Sequence, residues 1–414
     1  MSGNDKRPLV PLLRFSEFRN ARGWSFQPLR TLAERSTRKN TDCELTRVLT
    51  NSAEYGVVDQ RDFFDKDIAN QGKLEGYYIV EKGAYVYNPR ISATAPVGPI
   101  SNNRIGTGLM SPLYTVFKFN NSRNDFYAHY FKSTHWYQYM RQSSSTGARH
   151  DRMSIANDDF MGLPLPVSSP EEQQKIADCL SSLDELITAE TQKLNGLKMH
   201  KMSLMQQLFP REGETVPRLR FPEFRDAGEW KEVAFSTQVE LISGLHLAPD
   251  EYSDTGEVPY FTGPSDYAND LSLVGKWAVR STNTGCAGDI LITVKGSGVG
   301  ELLYLELEEV AMGRQLMAVR PRSAHGGFVF HFLATQRQRL VALASGNLIP
   351  GLSRGDILGL TMSVPERDEQ QAIAECLSSL DNLAAAQSLK IDALKTHKKG
   401  LMQQLFPVLD AVQA

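Results

Sequence analysis

Residues 295–300 read Lys-Gly-Ser-Gly-Val-Gly and form the best candidate in the sequence for a phosphate-binding loop. A dinucleotide loop needs Gly-x-Gly-x-x-Gly at the start of a helix, and a P-loop ends in Gly-Lys-Ser/Thr. Here the glycines are followed by 301–305, Glu-Leu-Leu-Tyr-Leu, which is typical of a strand. We therefore expect no nucleotide binding, but a loop whose backbone can approach a phosphate group, with Lys295 beside it.

Residues 87–90 read Tyr-Asn-Pro-Arg and resemble the start of the Asn-Pro-Pro-Tyr motif of amino-methyltransferases. The second proline and the aromatic residue are missing, and the other half of the chain has no equivalent, so we expect no catalytic residue. The eight histidines do not cluster with the cysteines, and no two cysteines have C-x-x-C spacing, so neither a disulfide framework nor a metal site is predicted. The four cysteines are Cys43, Cys179, Cys286 and Cys376.

Charge is distributed unevenly along the chain. The net charge of −3 at pH 7 argues against a uniformly basic nucleic-acid-binding protein. Within 90–152, however, only Asp125 and Asp151 oppose the basic residues. Such a chain can present a basic face to DNA and a neutral or acidic face to protein. An ordinary solvated surface is the other interpretation, and it stays open at this point. The basic residues are Arg90, Arg104, Lys118, Arg123, Lys132, Arg141, Arg149 and Arg152.

Two blocks of the sequence occur twice. Residues 171–184, EEQQKIADCLSSLD, recur as DEQQAIAECLSSLD at 368–381, and LMQQLFP recurs at 204–210 and 401–407, all with an offset of 197. A leader block, RFSEF at 14–18 and RFPEF at 220–224, is followed by Trp24 and Trp230 with an offset of 206. The repeat predicts two similar halves related by an approximate two-fold axis. Predicted segments are a leader (1–23), a variable region (24–169), a helix (170–209), a linker with the second leader (210–229), a variable region (230–366), a helix (367–407) and a tail (408–414).

Each repeated helix carries apolar residues at alternating steps of four and three, which is typical of a coiled-coil seam. Pro170 and Pro365 stand before the helices, and Pro210 and Pro407 end them. We expect an antiparallel coiled coil, and the two-fold relation suggests that the polar seam residue Glu190 lies near Lys398. The predicted seam consists of Ile176, Leu180, Leu183, Ile187, Leu194, Leu197 and Leu204, and of Ile373, Leu377, Leu380, Ile391, Leu394 and Leu401.

The two variable regions differ in sequence but share an order of elements. Short runs of β-branched and aromatic residues predict strands in both, and each region closes with a helical pattern. We therefore predict a compact α+β domain in each region. The predicted strands are 77–80, 84–87 and 113–117, then 258–261, 289–294 and 315–319, and the closing helices are about 124–142 and 327–345.

Several of these features together resemble the specificity subunit of type I restriction–modification systems. They are E-Q-Q-x-I-A at the start and L-M-Q-Q-L-F-P at the end of each repeated helix, the R-F-x-E-F leaders, and two dissimilar regions on repeated helices. The resemblance covers nearly the whole chain. It implies two target-recognition domains that each read one half of a split site in double-stranded DNA, and two helices that form an antiparallel spacer.

The resemblance also implies partners and cofactors. The helices would dock two modification subunits, which carry S-adenosylmethionine and methylate adenine. Two restriction subunits, using ATP and Mg²⁺, would join if the system includes them. No cofactor is expected in this chain, which would be non-catalytic. Since no apolar run is long enough to span a membrane and the N-terminus lacks a signal core, we expect a cytoplasmic protein.

Arg and Lys read guanine, Asn and Gln read adenine, and Ser or further basic residues hold phosphates. Two alternatives stay open: a stand-alone DNA-modifying enzyme and a coiled-coil scaffold that contacts only protein. The candidate DNA-binding residues are Asn88, Arg90, Arg104, Ser143, Arg149 and Arg152 in the first domain, and Arg280, Lys295, Ser297, Arg314, Gln315, Asn347 and Arg354 in the second.

Overall fold

The computed structural model describes residues 9–63, 71–146, 151–280, 283–345 and 351–408. The candidates Arg149 and Asn347 lie outside these residues. The chain divides into two compact units, one made of Met1–Glu190 with Lys390–Ala414 and the other of Thr191–Leu389. Among the described helices, none combines the length and apolar composition that crossing a membrane requires.

The first unit combines short strands with helices, as predicted for an α+β domain. Its helices are α1 (Leu29–Leu32), α2 (Gln60–Phe63), α3 (Asp125–Tyr130), α4 (Tyr137–Gln142), α5 (Asn157–Met161) and the first part of α6 (Pro170–Leu208). Its strands are β1 (Ser25–Pro28), β2 (Ala33–Arg35), β3 (Leu49–Ser52), β4 (Gly56–Asp59), β5 (Tyr78–Val80), β6 (Tyr85–Tyr87), β7 (Ile100–Asn102), β8 (Gly108–Met110), β9 (Thr115–Phe119), β10 (Ser144–Thr146), β11 (Met153–Ile155) and β12 (Pro164–Val167).

The second unit also combines short strands with helices. Its strands are β13 (Lys231–Ala234), β14 (Val239–Ser243), β15 (Tyr252–Ser253), β16 (Val258–Phe261), β17 (Trp277–Ala278), β18 (Thr284–Cys286), β19 (Ile290–Thr293), β20 (Leu302–Tyr304), β21 (Glu309–Met312), β22 (Leu316–Pro321) and β23 (Thr361–Val364). Its helices are α7 (Gly326–Thr335), α8 (Arg337–Ala344), α9 (Arg354–Leu358) and the first part of α10 (Arg367–Leu405), together with the last part of α6.

The central sheet has one topology in both units. Its order is β2-β9-β6-β7 in the first unit and β14-β22-β19-β20 in the second, and all neighbours are antiparallel. In each unit the first strand therefore pairs with the fourth, the fourth with the second, and the second with the third. The predicted common order of elements is confirmed, and it extends to strand pairing. Beside it, the second unit has a sheet of order β15-β17-β16-β21-β18, whereas the first unit has the separate pairs β3-β4 and β5-β8.

The two closing helices predicted for the variable regions are each broken in two. Residues 131–136 separate α3 from α4, where Ser133 Oγ donates to Tyr130 O at 2.7 Å and Trp136 Nε1 donates to Phe131 O at 3.2 Å. Thr335 Oγ1 donates to Phe332 O at 2.6 Å just before the break between α7 and α8. The prediction of one continuous closing helix in each region was therefore wrong.

The repeated leader fastens the start of each long helix. In the first unit, Arg14 Nε and Nη2 donate to the carboxylate of Glu172 at 2.6 and 2.8 Å. In the second, Arg220 Nε and Nη2 donate to Glu369 at 2.7 Å each. Each arginine side chain is 8% exposed and each glutamate 2%. The strand after each leader pairs with the strand before the helix, β1 with β12 and β13 with β23. The repeated leader thus supplies each long helix with the same partner, a buried arginine.

The L-M-Q-Q-L-F-P ends anchor the helices in the cores. Phe406 is fully buried and packs edge-on against Phe126 and Tyr130, with ring centroids 5.2 and 5.4 Å apart. Its repeat equivalent Phe209 stacks on Phe328 at 5.1 Å. The core of the first unit also contains residues from the start of α6, and the core of the second contains residues from the start of α10. Each unit is therefore built around the beginning of one long helix and the end of the other.

Side-chain burial along α6 and α10 follows the predicted seam. Every seam position in both helices is buried or half-buried, as are Lys201, Gln387 and Lys398, while positions between them are largely exposed. The expected proximity of Glu190 and Lys398 is not the pairing found. Lys398 instead bonds Asp184, and Glu190 bonds Lys390. Asp184 was overlooked because it lies one position beyond the apolar seam residue Leu183.

Candidate nucleic-acid interface

One edge of the central sheet in the second unit collects most of the site residues predicted for the second domain. The register places Ser243 of β14 opposite Met317, and Thr293 of β19 opposite Leu316, at the start of β22. The carboxyl ends of β14 and β19 therefore meet the amino end of β22. The segments that leave and enter these strands carry Lys295, Ser297, Arg314 and Gln315, and all four are exposed.

Glycines let the backbones at this edge come close together. Gly296 has φ +89°, a left-handed conformation that an L side chain adopts at a cost. A Cβ on Gly244 would lie 2.2 Å from Gly313 O, so the turn after β14 can approach the turn before β22 only without a side chain. The amide N of Val294 donates to Gln315 O at 2.7 Å, which ties the glycine loop to the adjacent turn. The loop therefore follows a strand and precedes β20, as predicted, and it opens no helix.

Arg354, at the start of α9, reaches the same edge. Its Nη1 donates to Ser243 Oγ at 3.2 Å and its Nη2 donates to Leu241 O at 3.0 Å. Lys295 is bridged through its backbone to Gly351, three residues before Arg354. A guanidinium has five N–H donors, so these two bonds leave others for a ligand. Arg280 is exposed and lies three residues before Asn283, whose Nδ2 donates to Ser243 O at 2.8 Å.

The first unit presents the corresponding edge, formed by the ends of β2 and β6 and the start of β9. Here Arg35 lies opposite Phe117, and Tyr87 opposite Thr115. Asn88 and Arg90 follow β6 directly, as Lys295 follows β19. Arg90 is exposed and faces Arg152 across a backbone bridge, and Arg152 is half-buried. The structure thus brings together three of the predicted residues, Asn88, Arg90 and Arg152.

Asn88 has structural partners of its own. Its Nδ2 donates to Asn51 O at 2.9 Å, and its Oδ1 accepts from the amide of Arg90 at 3.0 Å. Because both ends of the amide are engaged, Asn88 shapes the turn that presents Arg90. Together with Arg152 they line a cleft of about 200 Å³ that also includes Gln60, Tyr77 and Tyr114. Sequence reasoning missed these last three residues because they come from segments far from the turn.

Two of the predicted residues of the first domain lie elsewhere. Arg104 follows β7, whose last residue Asn102 is opposite Tyr85 at the start of β6, so Arg104 is at the other end of the sheet. Its Nη2 donates to Asp125 at 2.8 Å. Ser143 is half-buried at the end of α4, and its amide donates to Tyr139 O at 2.9 Å. Ser143 directly precedes β10, which pairs with β11 after Arg152.

Sequence reasoning also missed a side-chain cluster that occurs in both units. In the first, His129 of α3 has Nε2 3.0 Å from Ser181 Oγ, and Asp184 bonds Lys398. In the second, His331 of α7 has Nε2 3.2 Å from Ser378 Oγ, and the two carboxylate oxygens of Asp381 accept from Lys201 Nζ at 2.6 Å. We call these sets the joints. The serine, aspartate and lysine of one joint are each 197 residues from those of the other, a signal available in the repeated Ser-Ser-Leu-Asp.

Burial dominates the protonation of the joints. Burial first, and next the nearby ammonium groups of Lys398 and Lys201 respectively, lower the pKa of His129 and of His331 to about 3. Burial opposes ionisation of Asp184, but the hydrogen bond from Lys398 and the charge of Lys132 bring its pKa below its ordinary value. Both imidazoles are therefore neutral near pH 7, while Asp184 keeps its charge beside Lys398. Among the described residues, no cluster of His, Cys, Asp or Glu could hold a metal ion.

These features define a class: a duplicated α+β protein with one polar, basic sheet edge in each half and two long repeated helices. The family described as type I restriction modification DNA specificity domain matches residues 42–199 and 228–396. Since the two matches cover most of the chain, the protein belongs to this family. The suspected resemblance is confirmed.

Two curated relatives come from Methanocaldococcus jannaschii. The type I restriction enzyme MjaX specificity subunit is 24% identical over 261 residues, covering 62% of this chain and 61% of the relative. The type I restriction enzyme MjaVIII specificity subunit is 24% identical over 293 residues, covering 64% and 65%. The chain thus spans somewhat under two thirds of the length of the curated relatives it matches. A solved S subunit from M. genitalium has a similar fold, with a TM-score of 0.61 and 15% identity over 97% of this chain and 100% of the other.

Proposed function

We propose that the chain reads a two-part DNA sequence as the non-catalytic specificity subunit of a type I restriction–modification enzyme. The observation that carries this proposal is the repeated sheet edge. Both units present side chains from the same three strand ends, and the residue types differ between them. A common scaffold with different reading residues is what recognition of two different half-sites requires.

The second edge has the chemistry for both positioning and reading. Lys295, with Ser297 and the glycine loop, suits a phosphate contact, because backbone N–H groups and ammonium ions hold phosphate oxygens. Arg314 and Gln315 are exposed on the adjacent turn and can meet base edges, an arginine on guanine and a glutamine on adenine. In the first unit Arg90 is the corresponding reading residue, and Arg152 stands beside it.

We further propose that α6 and α10 form an antiparallel coiled coil that sets the gap between the half-sites. Support comes from the ion pairs of the first unit, Asp184 with Lys398 and Glu190 with Lys390. Residue numbers rise along one helix and fall along the other, so these segments run in opposite directions. At 1.5 Å per residue a helix of 39 residues is about 58 Å long, which exceeds one turn of B-DNA, about 35 Å.

The partners follow from family membership and the duplicated helices. We propose two modification subunits, one for each half, with S-adenosylmethionine bound in them. Restriction subunits with ATP and Mg²⁺ would join where the system includes them. The site of action would be the cytoplasm, where these partners meet DNA. Purified chain mixed with DNA, Mg²⁺ and S-adenosylmethionine should then give no turnover, and turnover would favour the alternative of a stand-alone modifying enzyme.

Methylation mapping tests the proposal. The chain and its modification subunit are expressed in cells without other adenine methyltransferases, and modified sites are read by long-read sequencing. We expect one asymmetric motif of two parts separated by a fixed gap. Arg314→Ala or Gln315→Ala should relax the base preference in one part of the motif alone, and Arg90→Ala should relax it in the other part. Each mismatched base pair is worth about 1–3 kcal/mol. Methylation without a two-part motif, or none despite an assembled complex, would support the protein-only scaffold instead.

A further inference from the structure

Each joint pairs a lysine of one long helix with an aspartate of the other, and the lysine is almost fully buried in the first joint and half-buried in the second. Lys398 of α10 is 7% exposed and bonds Asp184 of α6 within the first unit. Lys201 of α6 bonds Asp381 of α10 within the second, with its side chain 20% exposed. A buried ammonium without a partner is costly, so each pair disfavours arrangements that separate it.

Resting on the proposed function, we propose that the two joints specify the register of α6 against α10, and that Lys201 and Lys398 thereby determine the length of the gap in the DNA site. The apolar seam does not select one register by itself, because leucines at heptad spacing also match after a slip of seven residues. The buried helix ends at Phe209 and Phe406 oppose a slip as well, and the joints act together with them. A slip of seven would bring position 177 or 191, an alanine or a threonine, to the place of Asp184. Lys398 would then face one of these residues in place of Asp184.

In each unit, the histidine connects the joint to the globular part. His129 lies on α3 and contacts Ser181, which is three residues before Asp184 and therefore on the same face of α6. His129 Nδ1 is also 3.9 Å from Asp184 Oδ2. In the second unit His331 of α7 contacts Ser378, three residues before Asp381. Each globular part is thus attached to the same helical turn that pairs with the other helix.

The other charged groups facing the joints differ between the units. In the first, Lys132 Nζ is 3.6 Å from Asp184 Oδ2, and the charge of Arg104 also reaches His129. In the second, the residue three positions after His331 is Ala334, so the Lys201–Asp381 pair has no counterpart of Lys132. Charge reversal is therefore best made in the second joint, because a lysine at position 184 would face Lys132.

The expected behaviour is non-additive. Lys201→Met and Lys398→Met each leave one joint intact, so each variant should keep the single gap length of the wild type. The double variant should methylate sites of additional gap lengths, at least tenfold above the wild-type background. A slip of seven residues moves a helix by about 10 Å, or about three base pairs at 3.4 Å each. The two base motifs should stay unchanged, since the reading edges are untouched.

Two further variants keep the test decisive. Asp381→Lys combined with Lys201→Asp, added to Lys398→Met, restores a pair of opposite polarity and should return methylation to one gap length. Glu81→Gln with Glu301→Gln breaks one exposed ion pair in each unit, with Lys118 and Arg337, and should change nothing. Long-read methylation mapping of the complex with the modification subunit gives the gap distribution, and co-purification with that subunit reports folding.

Three outcomes overturn the proposal. The first is a double variant that assembles and keeps the single wild-type gap. The second is a reversed pair that fails to restore one gap length. The third is a double variant that does not assemble and is not restored to assembly by the reversed pair. A wild-type complex that methylates no two-part motif would instead count against the proposed function, which separates the two failures.

Discussion

The leader arginines should contribute strongly to stability, because each is buried against one carboxylate. In the second unit, Glu369→Ala would remove two hydrogen bonds of 2.7 Å from Arg220 and leave a guanidinium that is 8% exposed. Its remaining partner is Ala227 O at 2.6 Å. Hydrogen bonds to charged groups contribute about 1.5–3 kcal/mol each, and breaking a buried ion pair costs about 3–5 kcal/mol. We expect Glu369→Ala to lower the free energy of unfolding by about 3–5 kcal/mol.

The chain provides matched controls at the neighbouring positions. Asp368 and Glu171 lie in the same first helical turns as Glu369 and Glu172, but are exposed. Their replacement by Ala loses the same favourable interaction with the helix dipole, about 0.3–1 kcal/mol. The difference between neighbouring variants therefore isolates the ion pair. Glu172→Ala against Glu171→Ala repeats the comparison in the first unit.

Urea denaturation of the whole chain measures the loss in free energy of unfolding, and hydrogen exchange with mass spectrometry assigns that loss to one unit. Arg220→Met combined with Glu369→Leu should recover most of the stability, since replacing both partners of a buried pair by apolar residues is often neutral. The reasoning would be refuted if the free energies of unfolding of Glu369→Ala and Asp368→Ala differed by less than about 1 kcal/mol. Such a small difference is typical of an exposed ion pair, and it would mean that Glu369 does not compensate a desolvated charge on Arg220.

Three further outcomes can be measured directly. Gly296→Val places a β-branched residue at φ +89° and should cost about 1–3 kcal/mol in stability while weakening DNA binding by the assembled complex, measured by titration of labelled duplex; Gly228→Val, in the linker, with nothing near its Cβ, is the control. Lys295→Ala should weaken binding to all sequences alike and reduce the slope of log K against log salt by about 1, whereas Gln315→Ala should leave the slope unchanged; equal slopes for both would count against a phosphate role for Lys295. Because His129 and His331 have a pKa of about 3, below the ordinary 6.5, only the unfolded chain binds these protons as pH falls below 6.5. The free energy of unfolding should therefore fall by about 1.4 kcal/mol per pH unit for each histidine down to about pH 3. His129→Gln with His331→Gln should flatten that dependence between pH 6.5 and 5.

The parts that the sequence predicts well are those governed by periodicity and repetition. Burial along α6 and α10 follows the apolar heptads because a helix presents every third and fourth residue on one face. The six predicted strands agree with the structure within about two residues, since β-branched and aromatic runs there are bounded by Gly and Pro. The glycine loop was also placed correctly between two strands, because the run after it has strand character.

The parts that the sequence does not predict depend on long-range packing. Arg104 falls in the basic segment 90–152 together with Arg90, yet strand pairing puts the two at opposite ends of one sheet. Asn88 has a residue type suited to adenine, but its amide is bonded to Asn51 and Arg90. The breaks at 131–136 and at Gln336 are accompanied by side chains bonded to carbonyls, which a helical pattern of apolar residues does not reveal.

Polar residues in the seam explain why the helices need more than an apolar pattern. A seam of leucines favours association in general, while a buried charge favours the one arrangement that pairs it. Asp184 could not be identified from the heptad because it lies just beside the seam, and Glu190, at a seam position, suggested the wrong partner for Lys398. The serine, aspartate and lysine recur at an offset of 197, each time next to a histidine from a variable region of different sequence. The cluster is therefore tied to the helices and not to either reading edge. The joint is the same in both units, while the residues at the reading edges differ between them. This is expected if the spacing of the half-sites and the base preference are set by separate residues.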